Sequence, residues 1–276
     1  MTLDSAPANS SLRSSFWLAA GTLWWRELLR FYRHRSRVVG ALGTPLVFWL
    51  LIGSGIGTSF HPGGAGAEMN YLEYFFPGTL VLIVLFTSIF CMMSIIEDRH
   101  EGFLLSVLVA PVTRSSLVLG KLLGGATLAV LQGLVFVLLA PAVGIPLGPA
   151  PLILLTGVLF LIAFALTGLG FLFAWQLDSV QGFHAIANLF LIPLWLLSGA
   201  LFPASGASTW VRWVMALNPL TYALAAVRRV FYWGLPEVVR EEPSLGLAVG
   251  VTLVFAALTT LAAFVVAERP LSTDLG

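Results

Sequence analysis

Long apolar runs alternate with short polar stretches along this chain, and the apolar runs fall at about 38–58, 74–96, 117–141, 151–175, 184–203 and 245–267, each near the ~20 residues that cross ~30 Å of hydrocarbon. The pattern predicts an all-α integral membrane protein with six transmembrane helices. HPGGAGAEMNYLEY between the first two runs is a Gly-rich polar loop. VGIPLGPAP between the third and fourth is only a turn, and QLDSVQGF between the fourth and fifth carries one charge, Asp178. Ahead of the first run, Phe16, Trp17, Trp24, Trp25, Phe31 and Tyr32 mix with Arg26, Arg30, Arg33, Arg35 and Arg37. Rings beside arginines suit a helix lying in the headgroup region, where the rings sink and the guanidinium groups stay wet. Residues 1–12, rich in Ser, Ala and Asn, are expected to be unstructured.

One polar stretch stands out, EDRHEGFLLSVLVAPVTRSSLVLGK from Glu97 to Lys121. It holds three of the four acidic residues between Tyr74 and Pro236 and the only three basic residues between Val38 and Trp210. A charged helix near residues 98–113, ended by Pro111, is expected at the membrane surface. On a helical wheel Phe103, Leu104, Val107 and Leu108 share one face, whereas Leu105 and Val109 lie on roughly the opposite face near Glu101. Two apolar faces imply a second surface to pack against, belonging to another protein. An ordinary amphipathic connector is the alternative.

Residues 204–244 are too many for a turn and too broken for a span. Asn218-Pro219 divides them into two short apolar helices. A hairpin re-entering the membrane from the outer face and an amphipathic hairpin lying on that face both fit.

Composition sharpens the class. The chain is 58% hydrophobic and 10% charged, far below the roughly 25% charge of soluble domains. With both termini inside, ten Lys/Arg face the cytoplasm against four outside (Arg212, Arg228, Arg229 and Arg240), which places the termini and the 97–121 stretch in the cytoplasm. Residues 1–37 lack a signal-peptide core, so the N-terminus is expected to be retained. The net charge of +1 gives no nucleic-acid signal, and Cys91 is alone. His34, His61, His100 and His184 show no metal-ligand spacing. No phosphate-cradling G-x-x-x-x-G-K-S/T is present: Gly120-Lys121 is followed by Leu122, with Ser115 in place of the first glycine. ATP chemistry must therefore lie on another chain. Gly53-Ser54-Gly55 and Leu197-Ser198-Gly199 faintly suggest a rhomboid-like serine protease, but no histidine follows His184 to serve either serine. The spans carry Gln132, Asn188, Thr156, Thr167 and Ser198 as their main polar groups, which fits a path for apolar or amphipathic cargo or plain interhelical bonding. Gly53 with Gly57 and Gly120 with Gly124 form two G-x-x-x-G pairs, and Pro45 and Pro193 are expected to bend the first and fifth spans.

The sequence resembles the membrane subunits of ABC-2 type transporters over nearly its whole length. The resemblance is carried most specifically by EDRHEGFLLSVLVAPVTRSSLVLGKLLGG and by LFLIPLWLLSGALFPASGASTWVRWVMALNPLTYALAAVR. It implies that the first segment is a coupling helix docking on an ATP-hydrolysing subunit, with Glu97, Asp98, Arg99, Glu101, Phe103, Leu105, Val109, Pro111 and Arg114 as the contact. Arg26, Arg30, Arg33 and Asp178 become a secondary cytoplasmic contact. The second segment becomes the fifth span and a re-entrant outer hairpin. Gln132, Asn188, Phe190, Trp195, Phe202, Asn218, Pro219 and Tyr222 are candidates for the substrate path or outer gate, with dimer contact as the other reading of Phe190, Trp195 and Phe202. The same resemblance implies a second permease copy, a P-loop ATPase partner carrying ATP and Mg, no cofactor on this chain, a cell-membrane location, and export of a hydrophobic or amphipathic substrate such as a drug, lipid or polysaccharide. A non-transporting membrane partner of an ATPase is the alternative function.

Overall fold

The computed structural model describes residues 8–33, 35–56, 70–110, 112–145, 148–235 and 237–269. Among them every regular element is helical: α1 (Ala8–Arg33), α2 (Arg35–Ile56), α3 (Tyr71–Cys91), α4 (Met93–His100), α5 (Phe103–Val109), α6 (Arg114–Val137), α7 (Pro149–Gln176), α8 (Val180–Trp195), α9 (Thr209–Leu217), α10 (Pro219–Phe231) and α11 (Leu245–Glu268). Six stretches are long and apolar enough to cross a membrane: Val39–Ile56, Tyr71–His100, Arg114–Val137, Pro149–Gln176, Val180–Ala200 and Leu245–Glu268. The Gly-rich loop expected after the first span lies mostly outside the described residues.

The bundle is built around α3, which packs on α2, α6, α7 and α10. Apolar all round, it can be surrounded, and Phe75, Phe76, Leu80, Val81, Ile83, Val84, Leu85 and Ile89 are fully buried. In Tyr71–His100, 89% of the most apolar stretch is buried, against 17% in Val39–Ile56 and 22% in Leu245–Glu268. Helices α2 and α11 therefore present most of their surface outward.

Three boundaries differ from the sequence expectation. Helix α1 begins at Ala8, inside the stretch expected to be unstructured. Helix α4 continues α3 with only Met92 between them, so the charged run Glu97–His100 completes the second spanning helix. The separate helix is α5, seven residues rather than the fifteen or so expected. Gly102, at φ 74°, makes the left-handed turn from α4 into α5, a conformation that strains other residues. The third boundary is at α8: Pro193 lies inside an unbroken helix, and the backbone leaves helical geometry four residues later at Leu197 and Gly199, the latter at φ 89°.

That break frees backbone carbonyls, and neighbouring side chains take them up. Asn218 Nδ2 donates to Leu194 O (2.6 Å), Tyr74 Oη to Gly199 O (3.0 Å) and Tyr71 Oη to Leu201 O (2.9 Å). Asn218 also caps α10, its Oδ1 accepting from Leu220 N (2.9 Å), with Pro219 in the first helical position. Helix α10 is buried among α3, α7 and α11. Helix α9 buries Met215 and exposes Trp210, Trp213 and Leu217.

Helix α1 lies along α6, and the glycine pair explains how closely. A Cβ on Gly120 would stand 2.8 Å from Ala20 O and from Leu23 Cβ, and one on Gly124 2.8 Å from Glu27 Cβ. The G-x-x-x-G pair thus admits α1 rather than a spanning neighbour. Gly53 faces Leu72, and Gly57 lies outside the described residues. Gly124→Val is expected to lower stability by about 1–3 kcal/mol, as overpacking does, whereas Gly157→Ala, inside α7 where a Cβ meets open space, should not lower it. Thermal melts of the detergent-solubilised variants check this.

Candidate functional site

The last turns of α4 send successive side chains in different directions, because each residue advances about 100° around the helix. Asp98 points inward and is fully buried. Its Oδ1 accepts from Arg26 Nη2 (2.6 Å) and Arg30 Nη1 (2.5 Å), and its Oδ2 from Arg26 Nη1 (3.0 Å) and Lys121 Nζ (2.5 Å). Lys121, buried on α6, also donates to Glu27 Oε1 (2.7 Å) and Ser94 Oγ (2.9 Å), which uses all three of its protons. Arg30 reaches Glu97 at 2.9 Å and the exposed Glu101 at 3.5 Å. Buried cations are tolerated when each is paired and hydrogen-bonded, and that condition is met here. Three cations (Arg26, Arg30, Lys121) face three enclosed or half-enclosed carboxylates (Glu27, Glu97, Asp98). This hub joins α1, α4 and α6.

The hub also holds α5. The Arg26 guanidinium lies 3.6 Å over the Phe103 ring, a cation–π contact with the first residue of α5. Burial works against the charge on Arg26, but Asp98 outweighs it and keeps the guanidinium above its ordinary pKa. Leu104 is buried beneath α5 and Phe103 and Val107 are half-buried, whereas Leu105 (52%) and Val109 (85%) are exposed.

Two further arginines clamp helix ends. Arg99 donates to Trp175 O (2.8 Å) and Leu177 O (3.2 Å) at the end of α7 and to Asp178 Oδ1 (2.6 Å). Arg114 donates to Ala267 O (3.0 Å) and Glu268 O (3.1 Å) at the end of α11. Both satisfy carbonyls that a helix terminus leaves open.

The expected contact set therefore divides. Asp98, Arg99, Phe103 and Arg114, with Arg26 and Arg30 from the secondary set, are turned into the protein by ion pairs, carbonyl bonds and ring contact. Glu101, Leu105 and Val109 stay exposed, as do Arg33 and Asp178, and Glu97 is half-buried. Pro111 lies outside the described residues. Glu27 and Ser94 are not among the sequence candidates, and Lys121, the chain's only lysine, figures there only as the end of the charged stretch.

The proposed path residues also separate. Asn188 lines a cavity of about 510 Å³ between α1, α2, α3, α4, α6 and α8. Gln132 is buried, accepting from Thr87 Oγ1 (2.8 Å), and Thr87 lines the same cavity. Trp195 is buried and donates to Gly78 O (2.8 Å). Phe190 and Phe202 are exposed on the flank of the bundle, and Phe190 stacks on Phe173 at 6.1 Å. Pro219 is half-buried, and Tyr222 donates to Ala216 O (2.9 Å) within the α9–α10 turn. Ser198 donates to Trp195 O and Ser54 to Leu50 O, while His184 lies against Phe90 at 4.7 Å. Neither serine is hydrogen-bonded to a histidine, so the geometry of a serine protease is missing from the described residues.

At the other end of the bundle Arg228 on α10 forms a second buried charge centre. Its Nη1 donates to Glu242 Oε1 (2.5 Å), its Nη2 to Gly199 O (2.8 Å), and its guanidinium lies 4.4 Å over the Tyr74 ring. Arg229 donates to Pro243 O, Val239 O (3.1 Å) and Glu242 O (2.5 Å). Two of the four arginines assigned to the outer side thus serve internal structure.

Six helices long and apolar enough to span, with a short, partly apolar helix set on a charged hub, define an all-α multi-pass membrane protein, and sequence comparison gives the family. The model of the ABC-2 type transporter family matches residues 19–232, and the chain belongs to that family. It is 27% identical over 256 residues to the putative transport permease ycf38 of Cyanophora paradoxa, covering 90% of this chain and 87% of that one. It is 24% identical over 250 residues to the daunorubicin resistance ABC transporter permease protein DrrB1 of Streptomyces coeruleorubidus (85% and 82%). With the inner membrane transport permease YhhJ of Escherichia coli K12 it shares 29% identity over 175 residues, 62% of this chain and 43% of that longer protein. The chain is a multi-pass transport permease.

Proposed function

We propose that this permease exports a hydrophobic or amphipathic substrate and is energised by a separate P-loop ATPase, carrying ATP and Mg, that seats on α5. The observation that carries the reading is α5 itself: Leu105 and Val109 stand exposed on an element whose base is fastened to three other parts of the bundle. Arg26 and Asp98 tie it to α1 and α6, and Arg99 ties the preceding turn to α7. Force applied to α5 is therefore delivered to the spans rather than dissipated in a loose loop. This end is cytoplasmic by the distribution of arginines, with both termini on the same side of the inner membrane. A second copy completes the transporter, with the weakly buried faces of α2 and α11 as candidate contacts. At the opposite end, α10 re-enters the membrane behind α9. The similarity to DrrB1, a permease named for daunorubicin resistance, supports a drug-like cargo.

The test is recovery of an ATPase with the tagged chain in detergent. Leu105→Asp should leave insertion and thermal stability unchanged, because the side chain is half exposed. It should weaken ATPase recovery by about tenfold or more, as loss of an interface anchor does. Wild-type recovery and transport in Leu105→Asp would place the docking surface elsewhere.

A further inference from the structure

The cavity between α1, α2, α3, α4, α6 and α8 has a chemically uneven wall. Phe31, Phe86 and Phe90 line it, the last two stacked at 5.4 Å, and His184 lies against Phe90. At the end next to the hub stand Glu27 and Arg30. Arg30 has both terminal nitrogens engaged, one with Asp98 and the other with Glu97 and Glu101. Glu27 differs: its contacts with Lys121 and Arg26 both run through Oε1. Among the described residues its second oxygen has no hydrogen-bond donor, which leaves it for an occupant of the cavity. A volume of about 510 Å³ falls within the roughly 300–1,000 Å³ of small-molecule sites, which are mostly apolar with a few fixed polar groups. Aromatic faces and a carboxylate together favour positive charge.

From these observations we infer that the cavity binds an amphipathic organic cation, its charged group at Glu27 and its apolar body against Phe86 and Phe90. The assignment rests on the exporter reading and names the class of its cargo. A lipid chain or a neutral hydrophobe would occupy the apolar part without regard to charge, which makes charge the decisive variable.

Tetraphenylphosphonium and tetraphenylborate, nearly equal in size and opposite in charge, are the probes. Equilibrium dialysis against the full chain in phosphatidylcholine nanodiscs should show saturable phosphonium binding and no saturable borate binding above empty discs. Ala41→Trp, which fills the cavity from α2 and replaces none of the hub's charged groups, should abolish phosphonium binding. Glu27→Gln should weaken it by about tenfold or more, the size of a lost charge-assisted bond. Equal binding of the two ions, no phosphonium binding, or wild-type binding in Ala41→Trp would overturn the assignment. Phosphonium binding without ATPase recovery would sink the exporter reading alone, and ATPase recovery without phosphonium binding would sink the cavity assignment alone.

Discussion

Asp98→Asn should cost the protein about 3–5 kcal/mol of stability, the usual penalty for breaking a buried ion pair from one side. The substitution nearly preserves shape, so packing loss contributes little. The penalty arises because Asp98 accepts from Arg26, Arg30 and Lys121 at once, and its neutral replacement leaves those charges enclosed without enough anions. A lower thermal-unfolding midpoint in detergent is the expected result. The double variant with Lys121→Met should be less damaging than the sum of the singles, since it removes a cation along with the anion. Simple additivity would show that the two groups do not act as one unit.

Arg228→Met should have an effect of the same order at the other end of the bundle. Arg228 is buried (6% exposed) and fills three roles together, pairing Glu242, bonding Gly199 O and stacking on Tyr74. Methionine keeps much of the volume but leaves the half-buried Glu242 carboxylate unpaired and Gly199 O with Tyr74 as its remaining side-chain donor, for a cost of about 3–5 kcal/mol. Arg228→Lys should recover only part of this, because one ammonium cannot reproduce the planar fork that reaches two acceptors. The local signature is faster hydrogen exchange at 197–201 and easier proteolysis near 237–244. Unchanged exchange there would remove Arg228 as the fastening of this end.

Much of the architecture was legible because its determinants are local. A run such as 151–175 is long and apolar whatever surrounds it, and α7 occupies that region. Asn218-Pro219 breaks a helix by its own chemistry. The exposed face of Leu105 and Val109 followed from helical periodicity alone. What could not be read depends on partners far along the chain. Glu97–His100 reads as a departure from the membrane, because nothing nearby shows that Asp98 will be neutralised by α1 and α6. Glu27 is hidden among aromatic and basic residues that suggest a wet surface. Arg228 and Arg229 look like loop charges until α10 is seen inside the bundle, with Glu242 and the carbonyls that hold them on the returning segment.

The seating of α1 on α6 has a consequence for biosynthesis. Glu27 meets Lys121 across 94 residues, and Trp24 meets Thr127 across 103. Helix α1 therefore has no resting place until the two spans that follow it have been threaded and much of the next has been made. Through that interval Arg26, Glu27 and Arg30 must stay solvated at the bilayer surface, with the tryptophans beside them as the only foothold. Assembly closes when the third span brings its lysine and paired glycines, so the order of synthesis and the order of docking run in opposite directions along the chain.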